Sequence, residues 1–204
     1  ILVVGIVCVS VISIYGYSFV HGDPVFNLTE EKYSQNQTSF IYGENENGEQ
    51  VELTRLHSEE NRIWVNLEDM SPYMTNAFIS IEDERFYEHN GIDVQRIGSA
   101  ILSAVANGGS ATHGGSTITQ QVVKLISGDD QRSAQRKVQE WYRAMNLEQQ
   151  LTKDEILDYY INLAPMGNNY VGIQAAALNY FGKDAKDLTL VECAFLAGLP
   201  KSPS

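Results

Sequence analysis

Apolar and polar positions change rhythm twice along this chain. Residues 1–20, ILVVGIVCVSVISIYGYSFV, form an almost unbroken apolar run without a charged side chain. At 1.5 Å rise per residue, a helix of that length spans about 30 Å, the hydrocarbon thickness of a bilayer. Tyr15, Tyr17 and Phe19 gather at its C-terminal end, where an aromatic belt meets the membrane–water boundary. The run predicts a transmembrane helix over 1–20. A secretory signal peptide is the alternative, although no small-x-small cleavage site of convincing shape follows.

Residues 21–70 are polar and rich in Asn, Glu and Ser, and read as a linker. Within them SFIY and QVELTRL flank GENENGE, whose Asn47-Gly48 is a turn signal, so a small β-hairpin is predicted. Such a hairpin is marginal alone and needs a surface to pack on.

From Ser71 the period becomes helical. Ser71-Pro72 predicts an N-cap and first helical position, with Tyr73, Met74, Ala77, Phe78 and Ile81 on one face. Asp93 predicts the cap of a second helix carrying Val94, Ile97, Ile101, Leu102 and Val105. The stretch 107–116, NGGSATHGGS, reads as a flexible loop. A third helix is expected from Thr117 to Ile126, and a fourth from Ser133, burying Val138, Trp141, Tyr142 and Met145. Thr152 and Glu155 predict a capping box for a fifth, with Ile156, Leu157, Tyr160 and Ile161 inside. A short helix over 173–181 should stop at Gly182, and Thr189 with Glu192 should open the last, which ends at Gly198 and Pro200. The expectation is a mainly α domain over 71–204, preceded by a hairpin and an anchor. Both chain ends read as cuts in a longer protein.

Composition narrows the options. With 204 residues, 43% hydrophobic and 20% charged, the chain is long enough for one folded domain and too apolar for disorder. Its 14 Lys and Arg against 26 Asp and Glu give a formal charge of −12, which argues against a nucleic-acid binder. An anionic substrate would need a local basic cluster working against that field. Cys8 and Cys193 both fall in apolar surroundings and read as small buried hydrophobes rather than a disulfide.

Four patches are richer than a helical core requires. In IEDERFYEHNG (81–91), Glu82, Asp83, Glu84, Glu88 and His89 crowd a helix C-terminus, where carboxylates gain nothing from the helix dipole. A solvated acidic end explains the same residues. A metal site is conceivable, although the spacing matches no specific ligand motif. In GGSTITQQVVK (114–124), glycines precede a helix start whose free N–H groups, with Ser116, Thr117 and Gln120, resemble a phosphate cradle, and Lys124 lies one turn on. Ordinary helices also begin this way. In RSAQRKVQEWYRA (132–144), Arg132, Arg136, Lys137 and Arg143 concentrate positive charge around Glu140, as an anion site or as a salt-bridged surface helix would. In ILDYYINLAPMGNNYVGIQAAA (156–177), Tyr160, Asn162, Asn168, Asn169 and Tyr170 suit sugar hydroxyls and ring faces, or simply a core helix and its turn.

Together these patches resemble the peptidoglycan glycosyltransferases, the family 51 transglycosylase domain of class A penicillin-binding proteins and monofunctional enzymes. The family's five ordered motifs read here as EDERFYEHNG, GGSTITQQVVK, RKVQE, KDEILDYYIN and LTLVECAFLAGLPKSP. The main departure is a slightly long glycine-rich loop at 107–115. The resemblance implies a lysozyme-like α-helical fold with a smaller membrane-dipping lobe. It implies lipid II and the growing glycan strand as substrates, with β-1,4-linked glycan as product. Glu82 falls at the family's general base and Glu140 at its second required carboxylate, with Asp83, Phe86 and His89 in support. Ser116, Thr117, Gln120, Gln121, Lys124, Arg132, Arg136 and Lys137 fall at the pyrophosphate side. It further implies a divalent cation, usually magnesium, sensitivity to moenomycin-type inhibitors, and a single-pass membrane protein working on the extracytoplasmic face. A C-terminal transpeptidase domain belongs to its bifunctional members. A lysozyme-type or lytic enzyme shares the helical fold and lone glutamate but has no need of the Arg132–Lys137 cluster. A non-catalytic wall-binding partner has no need of Glu82, Lys124 and Glu140.

Overall fold

The computed structural model describes residues 39–44, 50–56, 61–107, 115–128 and 133–201, with side chains from Arg62 onward except at 101, 104, 105 and 134. The predicted transmembrane helix at 1–20, the Asn47-Gly48 turn, most of the glycine-rich loop and Arg132 lie outside the described residues. Among the described residues, no helix is long and apolar enough to cross a membrane.

Along the chain the elements are β1 (Ser39–Glu44), β2 (Gln50–Leu56), β3 (Asn61–Arg62), α1 (Met74–Glu82), α2 (Val94–Ala106), α3 (Ile118–Ser127), α4 (Ala134–Gln150), α5 (Lys153–Leu163), β4 (Tyr170–Val171), α6 (Ile173–Phe181) and α7 (Leu190–Gly198). The structure is mainly helical, as the periodicity predicts. The predicted hairpin is also there: β1 pairs antiparallel with β2, with a register shift between Ile41 and Tyr42. The described residues divide into a central unit, Arg85–Lys153, and a flanking unit drawn from Leu28–Glu84 and Asp154–Ser204.

In the central unit, each helix start is capped where the sequence places a cap. Asp93 accepts from Arg96 N–H, Thr117 from Gln120 N–H and Ser133 from Arg136 N–H, each satisfying an orphan donor. Gly128, left-handed at φ 63°, ends α3. Helices α3 and α4 pack together, and Phe86, Ile118, Val122, Val123, Ile126, Ala144 and Leu147 are buried. The buried stripe of α4 differs from the predicted one. Tyr142 and Met145 are 39% and 40% exposed, whereas Glu140, Ala144 and Leu147 are buried. The reason is steric: α4 turns its smallest side chain inward so that another backbone can come close, described below. Val94 and Leu102 of α2 are exposed as well, against the predicted inward face.

In the flanking unit, the inward face of α1 is Met74, Phe78 and Glu82, an i, i+4, i+8 stripe, while Tyr73 is 48% exposed. Ser71 does not cap α1. Its hydroxyl donates to Leu188 O at 2.7 Å, so the side chain fastens the segment before α7 instead. Helix α7 packs beside α1 and opens with the predicted Thr189–Glu192 capping box. Cys193 is buried and free, as expected of a small hydrophobe.

One connection has no sequence signal. β3 pairs in parallel with β4, Asn61 with Tyr170 and Arg62 with Val171. Just beyond, the side chain of Asn162 acts as a further strand: its Oδ1 accepts from Val65 N–H at 3.0 Å and its Nδ2 donates to Val65 O at 2.9 Å. The Asn162 side chain is fully buried, so its amide depends on these protein partners. Trp64 packs edge-on to Tyr159, centroids 5.4 Å apart. Burial on this seam pushes the Asp158 carboxyl up to about 6, against the lowering effect of bonds from Leu67 N–H and the Trp64 ring N–H. Gly172, at φ 80°, lets β4 pass Asn162, since a Cβ there would lie 2.5 Å from Asn162 O. Replacing Asn162 with Ala should cost about 1–3 kcal/mol, the desolvation of the two stranded Val65 groups. A thermal melt of Asn162→Ala that matches the parent would show that this seam adds nothing.

Candidate functional site

The first candidate residues sit at a helix end. Glu82 is the last residue of α1 and Asp83 its C-cap, with Asp83 N–H donating to Ile79 O at 2.9 Å. Both carboxylates are buried, at 4% and 1% exposure, whereas Glu84 and Glu88 are exposed, so the acidic end is solvated only in part. A buried carboxylate at the negative end of a helix is electrostatically costly. Part of the compensation comes from the far end of the chain: Lys201 Nζ donates to Ile81 O at 2.5 Å, placing a cation at the C-terminus of α1. On the same side, Tyr160 of α5 packs edge-on to Phe78, centroids 5.8 Å apart, one turn before Glu82. Burial raises the pKa of the Tyr160 hydroxyl strongly, and the negative charge of Glu82 adds to the shift.

The rest of the first motif belongs to the central unit. Arg85 bonds Asp93 Oδ1 at 3.0 Å and the side chain of Gln95, and pairs with Glu88 at 3.5 Å. Phe86 is fully buried, with His89, also buried, 6.2 Å away ring to ring. Lys153 lies over the Phe86 ring at 4.4 Å and bonds Glu148 Oε1 at 2.7 Å, which also accepts from Thr119 at 2.6 Å. Phe86 and His89 therefore act as packing and positioning elements of this unit.

The motif's last residue, Gly91, is the meeting point of the second and third. Its carbonyl accepts from Thr117 Oγ1 at 2.7 Å and from Gln120 Nε2 at 3.3 Å. Its φ is 85°, and a Cβ would stand 2.8 Å from both C and O of Ala144. Only glycine fits between the start of α3 and the middle of α4.

Beside it stands a cluster of charges. Lys137 Nζ donates to Ser116 Oγ at 2.8 Å, to Gln120 Oε1 at 3.1 Å and to Glu140 Oε1, which uses all three ammonium protons. Glu140 Oε2 takes a second cation, Arg136, at 3.0 Å. Glu140 is 5% exposed and lies between two cations, so the three side chains carry net positive charge in a chain of formal charge −12. Both α4 pairs have the i, i+3 and i, i+4 spacing of helix salt bridges, with the carboxylate buried and the two cations partly exposed.

Ser116, Gln120, Arg136, Lys137 and Glu140 thus form one connected group. Thr117 and Gln120 are fully buried and bonded within the unit. Gln121 is half-buried, Lys124 is exposed on α3, and Arg132 lies outside the described residues. In the fourth patch, Tyr160 and Asn162 are interior, and Asn168 and Asn169 form a turn with φ of 47° and 66°. Sequence reasoning missed Gly91 as a site residue and Lys201 as the cation at α1. The G in the motif-one tail was the available signal for the first, and the second had none.

Among the described residues, no group of three or more His, Cys, Asp or Glu gathers in a way that could hold a metal ion.

Each unit carries its own candidate group: a buried helix-end glutamate in the flanking unit, and in the central unit a preassembled Lys/Arg/Glu cluster suited to an anion. Residues 48–204 match the family model described as Transglycosylase, and the chain belongs to that family, the peptidoglycan glycosyltransferases. Penicillin-binding protein 1A of Clostridium perfringens (strain 13 / Type A) is 41% identical across 100% of this chain, over 30% of its own length. Those of Clostridium tetani and Escherichia coli K12 are 47% and 46% identical over 72% and 75% of this chain, and 19% and 18% of their own lengths. The chain thus spans less than a third of each of these relatives.

Replacing Gly91 with Ala forces a Cβ into the Ala144 backbone at positive φ, which should destabilise the central unit by about 2–4 kcal/mol. Transferase activity should fall with it. A Gly91→Ala protein with parental melting midpoint and activity would show that the close approach is dispensable.

Proposed function

We propose that this domain polymerises lipid II, joining the 4-hydroxyl of one lipid-linked disaccharide to the anomeric carbon of another and releasing polyprenyl pyrophosphate. The observation that carries this is the assembled Lys137–Glu140–Arg136 cluster with Ser116. A leaving pyrophosphate needs such a site, whereas a hydrolase of glycan chains does not. As the bond to C1 breaks, its electron pair goes to the pyrophosphate oxygen. Net positive charge fixed beforehand stabilises that charge without reorganisation. Lys124, exposed on α3, and Gln121 supply further polar groups on the same helix, and Arg132 further positive charge in the sequence before α4.

Glu82 is the general base in this scheme. It accepts the proton of the attacking hydroxyl while the new C1–O bond forms, and its charge also favours an oxocarbenium-like transition state. The donor sugar is α-linked and the product β-linked, so one inverting displacement suffices. The burial of Glu82 at the end of α1 supports this role, since it keeps bulk water from the carboxylate. Glu140 orients its two cations. A magnesium ion, commonly bound together with phosphate groups, would supply further positive charge to the leaving pyrophosphate.

The lysozyme-like character of the fold, the anchoring of residues 1–20 in the cell membrane with the domain on the extracytoplasmic face, and a transpeptidase domain in the longer protein belong to the same proposal. Anchoring would hold the enzyme where its lipid substrate lies and raise effective concentration. Inhibition by moenomycin-type phosphoglycolipids follows from the pyrophosphate site.

Glu82→Gln should lower lipid II polymerisation by about 10²–10⁴-fold while the melting midpoint stays close to the parent's. Polymer formed at the parental rate would remove Glu82 as base. Muropeptides released from finished peptidoglycan by the parent protein would instead point to glycan cleavage.

A further inference from the structure

The resemblance assigns Gln120 to direct contact with the pyrophosphate, but its surroundings describe a different task. The side chain is fully buried, in the first turn of α3. Its Nε2 donates to Gly91 O at 3.3 Å and its Oε1 accepts from Lys137 Nζ at 3.1 Å. An amide has one donor end and one acceptor end, and here each end has a partner within the central unit. The carbonyl it binds is itself fixed, by Thr117 Oγ1 at 2.7 Å and by the wedge of Gly91 against Ala144. Gln120 is therefore a rigid strut between an immobile backbone carbonyl and the ammonium group of Lys137.

That strut answers a problem the cluster poses. A lysine side chain has four rotatable carbons and about 2 kcal/mol of rotamer entropy, and positions a charge poorly unless held. Glu140 alone holds Lys137 within its own helix, since the two are i, i+3 on α4. Ser116 and Gln120 hold it from the other side, at the start of α3. Of the two, Ser116 lies before the helix, whereas Gln120 sits in its first turn and is anchored through Gly91. The amide's orientation is fixed by the same logic, because the reversed amide would point its NH₂ at the ammonium and its oxygen at the carbonyl.

The geometry points to Gln120 as a positioning residue that acts through Lys137: its buried amide locks the Lys137 ammonium to the Gly91 carbonyl and so presets the positive charge that receives the pyrophosphate. This rests on the lipid II polymerase assignment, in which Lys137 serves the leaving group. It differs from that assignment by removing Gln120 from the substrate-contacting set.

The test is a double-mutant cycle on lipid II polymerisation in the full protein, using Gln120→Met, Lys137→Met and the double variant, with kcat and KM measured separately and melting midpoints recorded. Lys137→Met should lower kcat/KM at least about tenfold. Gln120→Met should lower it in the same sense, and in the Lys137→Met background should cost no further activity. Equal loss from Gln120→Met in both backgrounds would overturn the strut, because a direct substrate contact or a purely structural role is additive. Parental activity in Lys137→Met would overturn the leaving-group role of Lys137, and the strut with it, a different failure from additivity. A readout without substrate is acylation of lysines followed by mass spectrometry. In Gln120→Met and in Gln120→Glu, which keeps an acceptor for Lys137, labelling of Lys137 is compared with that of exposed Lys124. The Lys137 to Lys124 ratio should rise several-fold in Gln120→Met, and less in Gln120→Glu, which keeps the acceptor for Lys137 but loses the donor to Gly91 O. An unchanged ratio in Gln120→Met would also overturn the proposal.

Discussion

The close approach of the Gly91 backbone to the backbone of Ala144 governs the central unit. A Cβ at Gly91 would lie 2.8 Å from two backbone atoms of α4, so the loop can reach this depth only with glycine there and a small residue at 144. Once there, its carbonyl is a buried acceptor, and a buried acceptor needs donors. Thr117 and Gln120 supply them, which fixes where α3 starts and which way its first turn faces. The outer end of Gln120 then selects Lys137, and Lys137 with Arg136 selects Glu140. Three segments far apart in sequence are thus ordered by one steric contact and the hydrogen bonds it obliges.

The electrostatics follow from the same arrangement. An acidic chain of formal charge −12 repels a polyanionic substrate at long range, so recognition has to be local. Burying Glu140 between two cations looks self-defeating, since it cancels one positive charge. It is what makes the other charge dependable, because two long side chains are held in one geometry before any ligand arrives. In the flanking unit the charge pattern is opposite. Glu82 and Asp83 are buried at a helix end that disfavours anions, and Lys201 offsets this only in part.

Much of this was legible in the sequence because it rests on local rules. Caps at Asp93, Thr117, Ser133 and Thr189 announce helix starts, and Gly182 announces a stop, since each acts within one turn of itself. The hairpin was legible from alternation around an Asn-Gly turn. What was not legible depends on partners distant in sequence. Hydrophobicity alone put Tyr142 and Met145 inward, yet the inward face of α4 is set by Gly91, which asks for Ala144. Ser71 looked like a cap until Leu188, 117 residues away, took its hydroxyl. The β3–β4 pairing and the Asn162 seam join segments whose composition says only polar linker and core helix. For the site, residue types pointed to the right neighbourhood, but which polar atoms face each other inside it depends on the fold.

The central claim is that the Lys137–Arg136–Glu140 cluster is the pyrophosphate site. The most direct measurement is an experimental structure of the protein with a moenomycin-type phosphoglycolipid bound. The expected result places a phosphate oxygen within hydrogen-bonding distance of Lys137 or Arg136, with Gln120 still bonded to Gly91 O. A phosphate bound elsewhere, with the cluster unchanged and out of reach, would contradict it.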